Sequence, residues 1–207
     1  IDFKLRFRKM QNHSGEHIIC GIVHKLFGYE NVGFHLGEDN VTMDLNGYLS
    51  DEDIEKIETL ANEAIYRNLP VKAHYPDDEY LSCLDYRAKG EINKNIRIVE
   101  IGDVDKCACC APHVKNTGEI GIIKILSASK YKGGMRLNII CGLDAFKDYQ
   151  KKHTQNAKIS ELLSVKQNET YKGVEKTLDN TTSLLAKLSD KTRQLAKIVV
   201  DSLEYTS

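Results

Sequence analysis

Residues 9–27, KMQNHSGEHIICGIVHKLF, hold the pentapeptide His13-Ser14-Gly15-Glu16-His17 inside a stretch that reads as helix. Ile18, Ile19, Ile22, Val23 and Leu26 supply an apolar stripe at helical spacing, and Gly28 with Glu30-Asn31 closes it. Residues four apart on a helix lie on one face, one turn from each other. At that spacing His13 and His17 can grip one metal ion. A second half lies far downstream in Cys107-Ala108-Cys109-Cys110-Ala111-Pro112-His113. Two histidines from a helix, with a cysteine and a histidine from a loop, make a tetrahedral donor set for zinc (Zn2+). Spacing alone leaves Cys107, Cys109 and Cys110 open as the thiolate. Glu16 completes an H-x-x-E-H pattern, which in inverted zinc peptidases carries the general base. It is either a catalytic carboxylate or solvated helix surface.

Outward from this helix the pattern alternates. Residues 1–8 mix apolar and charged positions and suggest a short strand or linker. Val32–Leu36 and Asn40–Leu45 read as strands joined by a turn at Gly37-Glu38-Asp39-Asn40. Ser50, followed by Asp51, Glu52 and Asp53, caps a second amphipathic helix reaching about Asn68. Val71–Tyr75 is a strand, Asp77–Leu84 a short helix, and Ile96–Ile101 a strand. After the cysteine-rich turn, Ile120–Lys130 and Met135–Cys141 pair through Lys132-Gly133-Gly134. From Leu143 to Tyr205 the chain reads as helix, broken near Gln167-Asn168 or Gly173. Leu178, Leu185, Leu188, Leu195 and Val199 fall close to a heptad seam. The expected fold class is α+β: an antiparallel sheet packed by helices around a zinc site, then a long helical, coiled-coil-like arm. The expected domains are residues 1–142 and the arm, 143–207.

Composition bounds the function. The 207 residues are 41% hydrophobic and 29% charged, with a formal net charge of -1. That suits a globular core and supplies no global basic field. Local clusters remain at Lys4, Arg6, Arg8 and Lys9, and at Lys124, Lys130, Lys132 and Arg136. Six irregularly spaced cysteines fit a reducing compartment better than a disulfide framework. No apolar stretch is long enough to cross a bilayer, so no membrane association and a cytoplasmic location are expected.

Several phrases in order resemble a known family. His13-Ser14-Gly15-Glu16-His17, Gly33-Phe34-His35-Leu36-Gly37 and Val41-Thr42-Met43-Asp44-Leu45 are similar to the editing domain of alanyl-tRNA synthetase and its freestanding AlaX-type relatives. Cys109-x-x-x-His113-Val114, Asn116-Thr117-Gly118-Glu119-Ile120-Gly121 and Lys132-Gly133-Gly134-Met135-Arg136 extend the resemblance, which covers about Asp2 to Gly142. The second domain of threonyl-tRNA synthetases shares the metal pattern, and Pro112 before His113 is more like that branch.

The resemblance implies an ester hydrolase acting on mischarged aminoacyl-tRNA, chiefly Ser-tRNA(Ala) and also Gly-tRNA(Ala). It implies His13, His17, Cys109 and His113 as metal ligands, choosing Cys109 among its neighbours. It also implies a trimmed chain without the glycine-rich barrel that usually precedes such a domain and without an aminoacylation region. A serine-specific site needs a polar partner for the hydroxyl, and Gln11, Ser14, His35 and Thr42 are the substrate-binding candidates. Tyr29, Tyr48 and Tyr131 are candidates to stack on the terminal adenine. The expected partners are aminoacylated tRNA(Ala) and a second copy joined through the helical arm. A tRNA- or partner-binding module with a purely structural zinc is the alternative; a zinc peptidase using Glu16 leaves the Cys109–Gly121 block without a role.

Overall fold

In the computed structural model, residues 2–38, 40–88 and 96–204 are described. The first helix, α1 (Phe3–Phe27), begins where a strand or linker was expected. Asp2 accepts from the Leu5 amide and caps the helix. Phe7 and Met10 then reach the core at helical, not strand, spacing. Every residue from Asn12 to Val23 is buried, so α1 runs through the interior and its middle is enclosed on all sides. Two glycines permit that. A Cβ on Gly15 would stand 2.4 Å from Cys141 Sγ, and one on Gly21 would stand 2.5 Å from the Val104 carbonyl. Gly28, at φ 68°, ends the helix.

Two antiparallel sheets flank this helix. The first has the strand order β1 (Asn31–Leu36), β2 (Val41–Leu45), β7 (Gly134–Cys141), β6 (Ile123–Tyr131). Val41, Met43 and Leu45 face the core opposite Ile139, Leu137 and Met135, and Thr42 and Asp44 point to the other face. On that face Asp44 pairs with Arg136, whose guanidinium lies 3.7 Å from the Tyr131 ring centre. The second sheet runs β3 (Val71–His74), β4 (Ile98–Ile101), β5 (Asp105–Ala108). The strand β5 lies where the cysteine-rich turn was expected to begin. Helix α2 (Asp51–Tyr66) has its capping box, with Ser50 and Asp53 bonding reciprocally, and buries Ile57, Ala61, Ala64 and Ile65. The expected Asp77–Leu84 helix is α3 (Asp78–Cys83). The expected strand from Ile120 starts instead at Ile123. Thr117–Ile120 forms a 3-10 turn, and Gly121, at φ 85°, redirects the chain.

The chain divides into two compact units, the first ending at Asp148 and the second starting at Tyr149. Helix α4 (Gly142–Leu163) gives way to α5 (Thr170–Glu204) through a turn near the expected Gln167 break. Ser164 has φ 54°, and Asn156 Nδ2 donates to the Gln167 carbonyl at 2.9 Å. Gly173 sits within α5 and does not break it. Leu178, Leu185, Leu188, Leu195 and Val199 are each more than half exposed. Among the described residues no helix is long and apolar enough to cross a membrane. Asp39 in the expected 37–40 turn, and Tyr205 at the expected helix end, lie outside the described residues.

Candidate metal centre

The middle of α1 and the loop after β5 meet. There the ligand atoms of His13, His17, Cys109 and His113 all lie within 4.8 Å of one another. His13 Nε2 and Cys109 Sγ are 3.5 Å apart. A tetrahedral site with metal–nitrogen bonds of about 2.05 Å and a metal–sulfur bond of about 2.3 Å has a nitrogen–sulfur edge of about 3.6 Å. Cys110 is exposed, and Cys107 belongs to a separate group with His17 and Asp105. Of the three cysteines left open by spacing, Cys109 is the one in the His13–His17–His113 cluster.

The histidine partners suit a metal. His13 Nδ1 lies 3.2 Å from the Pro112 carbonyl and His17 Nδ1 lies 2.9 Å from Asp105 Oδ2. A carbonyl and a carboxylate only accept, so both Nδ1 atoms carry a proton and Nε2 is the atom each ring can offer to a metal. His113 Nδ1 is 3.1 Å from Ser14 Oγ, while its buried Nε2 has no hydrogen-bond partner. A buried nitrogen without a partner is costly unless a metal takes it. The residues present therefore fit a metal ion.

Charge follows the same logic. Burial alone would raise the Cys109 thiol, but the imidazoles of His113, His13 and His17 gathered around it outweigh burial and pull the group down to about 3, favouring the thiolate. Burial lowers His113 to about 4, aided by the neighbouring His17 and His13 and opposed by Cys109. Burial would also lower His17, yet Asp105, Cys109 and Glu16 together raise it to about 9. A metal at the cluster would replace that proton.

Glu16 is 2% exposed, and this is no solvated surface. Its Oε1 accepts from Asn31 Nδ2 and, at 3.1 Å, from Cys20 Sγ. Its Oε2 lies 3.9 Å from His17 Nε2, the nitrogen that faces the cluster.

The four substrate-binding candidates occupy different places. Ser14 is fully buried, and its Oγ accepts from the Val114 amide at 3.2 Å and from His113 Nδ1 in the metal-binding tautomer. Gln11 Nε2 donates to the Glu119 carbonyl at 2.8 Å. His35 and Thr42 are cross-strand partners, and Thr42 shares the outer face of the sheet with Asp44. Instead Phe34 approaches the cluster, its ring centre 5.8 Å from that of His13. Beside it opens a cavity of about 430 Å³ walled by His13, Met10, Phe34, Leu36 and Pro112, with Arg6 and Lys9 at its edge. None of the four candidates is among its described walls.

Comparison with known proteins places these features in a family. Residues 96–138 match the family described as the threonyl and alanyl tRNA synthetase second additional domain. The alanyl-tRNA editing protein AlaX-L of Pyrococcus horikoshii is 34% identical over 148 residues, covering 70% of this chain and 37% of that protein. The alanyl-tRNA editing protein Aarsd1 of Danio rerio is 30% identical over 192 residues, covering 90% of this chain and 46% of that protein. The alanine–tRNA ligase of Pyrococcus furiosus is 29% identical over 214 residues, 99% of this chain and 23% of the ligase. The chain thus spans between about a quarter and a half of the length of these relatives.

Proposed function

This chain carries an AlaX-type editing domain of the threonyl and alanyl tRNA synthetase second additional domain family, and we propose that it hydrolyses mischarged aminoacyl-tRNA, Ser-tRNA(Ala) first and Gly-tRNA(Ala) second. The observation that carries this reading is a three-histidine, one-cysteine cluster with His13 in the wall of an adjoining cavity. We assign zinc to the cluster on its donor set. When bound, zinc supplies Lewis acidity toward an ester carbonyl or an attacking water.

The remaining tasks fall to side chains. Phe34, Met10 and Pro112 give the cavity apolar walls suited to a nucleoside. Arg6 and Lys9 at its edge would meet phosphates, so a binding patch needs no basic chain overall. Glu16, aimed at His17 Nε2 through Oε2, is the group we assign to accept the proton of the attacking water. The editing work belongs to residues 1–142 and 143–207 form the arm. We assign a homodimer to the exposed seam of α5. Leu185→Lys with Leu188→Lys is expected to convert a dimer to a monomer by sedimentation; a wild-type monomer would remove the seam as an interface.

A second reading has one observation in its favour: four protein donors fill a tetrahedron, the arrangement of structural zinc sites. A panel of Ser-, Gly- and Thr-charged tRNAs separates the two. The deacylase releases serine from Ser-tRNA(Ala) in a metal-dependent way and spares Ala-tRNA(Ala). A structural site gives metal-dependent melting and no turnover of any of them.

A further inference from the structure

Beyond the four donors, one buried charge pair bears on the centre. Arg87 donates through Nε to Asp105 Oδ1 at 2.8 Å and through its terminal nitrogen to Oδ2 at 2.9 Å. The same Oδ2 receives His17 Nδ1 at 2.9 Å. The side chains of Arg87, Asp105 and His17 are 8%, 1% and 5% exposed. Arg87 is also pinned by its backbone. Its amide donates to the Lys106 carbonyl at 2.8 Å, and its carbonyl accepts from the Ala108 amide at 2.9 Å, so residue 87 is stitched to both sides of Cys107 on β5.

We propose that Arg87 and Asp105 are positioning residues for the metal centre, acting through the His17 ring. The fork of Arg87 fixes both carboxylate oxygens, and a carboxylate so fixed has one orientation in which to hold the His17 Nδ1 proton. That proton determines the tautomer, and the ring plane then aims Nε2 at the cluster. The other two imidazoles lean on neutral groups, the Pro112 carbonyl and Ser14 Oγ. His17 alone leans on a charged one, which strengthens it as a donor. Arg87 also answers for the second group, His17, Asp105 and Cys107. Its guanidinium already neutralises the carboxylate there, so that group supports the first site and is not a second one.

The proposal rests on the metal-centre reading but not on deacylation, and its test reads metal affinity. Zinc affinity is measured by competition with a chromophoric chelator, and geometry by the visible spectrum of the cobalt-substituted protein. Arg87→Lys keeps the charge but loses the fork, and zinc should bind several-fold more weakly. Asp105→Asn with Arg87→Leu removes the carboxylate without stranding a buried cation, and zinc should bind about 10- to 100-fold more weakly. In both, the cobalt bands should lose intensity while the metal-free circular dichroism stays that of wild type. Arg67→Lys, in the exposed pair with Asp103, is the control expected to change nothing. Zinc affinity within twofold of wild type in either folded variant overturns the proposal. A purely structural pair would lower melting temperature in the metal-free protein and leave affinity and spectrum alone. If the double variant does not fold, Arg87→Lys decides. Loss of deacylation with normal zinc affinity would count against the pair's role and leave the editing reading standing.

Discussion

The double variant His13→Ala/His17→Ala is expected to lose tight metal binding and to show no deacylation above background. The two histidines sit one turn apart on a buried segment of α1 and supply two of the four donors. A full zinc site of this kind is worth about 10–16 kcal/mol at neutral pH. Removing half the donors should cost roughly half of that, or about 10⁴-fold in affinity or more. The change does not strand their partners in an equal way. Asp105 keeps Arg87, and the Pro112 carbonyl is left to solvent or to the loop. The variant should therefore fold, with a lower melting temperature that added zinc no longer raises. Isothermal titration with zinc, followed by deacylation of Ser-tRNA(Ala), checks both halves. Full deacylation after the loss of zinc would move the chemistry away from this centre. Loss of zinc together with deacylation, without loss of fold, is what a catalytic centre requires.

How far the centre could be read from the chain follows from what each feature depends on. The His13–His17 pair is set by helical geometry alone, and Cys109–His113 by a short loop, so both were legible as local spacings. The α2 capping box is equally local, as is the alternation of β2. Which of Phe34 and His35 faces the centre is different. A strand has period two, so the answer rests on register, and β1 carries an irregularity between Asn31 and Gly33 that resets it. Polarity favoured His35, yet the inward residue is Phe34. The Arg87–Asp105 pair joins residues 18 apart, one of them in a short segment outside any long strand, and only the bridge to Cys107 brings them together. No spacing marks it, and Asp105 stands in a charged run, Asp103-Val104-Asp105-Lys106, that gives no sign of its burial. Hydrogen bonds to the Pro112 carbonyl have no sequence signature at all, because any residue there has a carbonyl. The N-terminal residues misled for a related reason. Alternation over a few positions fits a strand, but Asp2 caps a helix and Phe7 and Met10 find the core only in that conformation.

Glu16→Gln is expected to slow deacylation of Ser-tRNA(Ala) by about 10²- to 10⁴-fold, the range for losing a general base, while zinc binds nearly as in wild type. The substitution is isosteric. The side-chain amide it introduces would still offer an oxygen to Asn31 Nδ2 and Cys20 Sγ, so the buried network keeps its acceptor. What disappears is the negative charge and the proton-accepting oxygen 3.9 Å from His17 Nε2. Because Glu16 is not a donor in the cluster, zinc affinity should shift by far less than the rate does. Glu16→Leu makes the comparison sharper. It leaves Asn31 Nδ2 without its Glu16 acceptor inside the core, at about 1–3 kcal/mol, and the loss should be seen as a lower denaturation midpoint. If the glutamine variant deacylates at the wild-type rate while the leucine variant is destabilised, Glu16 is an internal anchor between α1 and β1 and not a base. If the glutamine variant is folded, zinc-loaded and slow, the carboxylate serves the reaction. Its burial then has a purpose: a carboxylate held through Oε1 by Asn31 and Cys20 keeps Oε2 aimed at the centre, within reach of the water whose proton it takes.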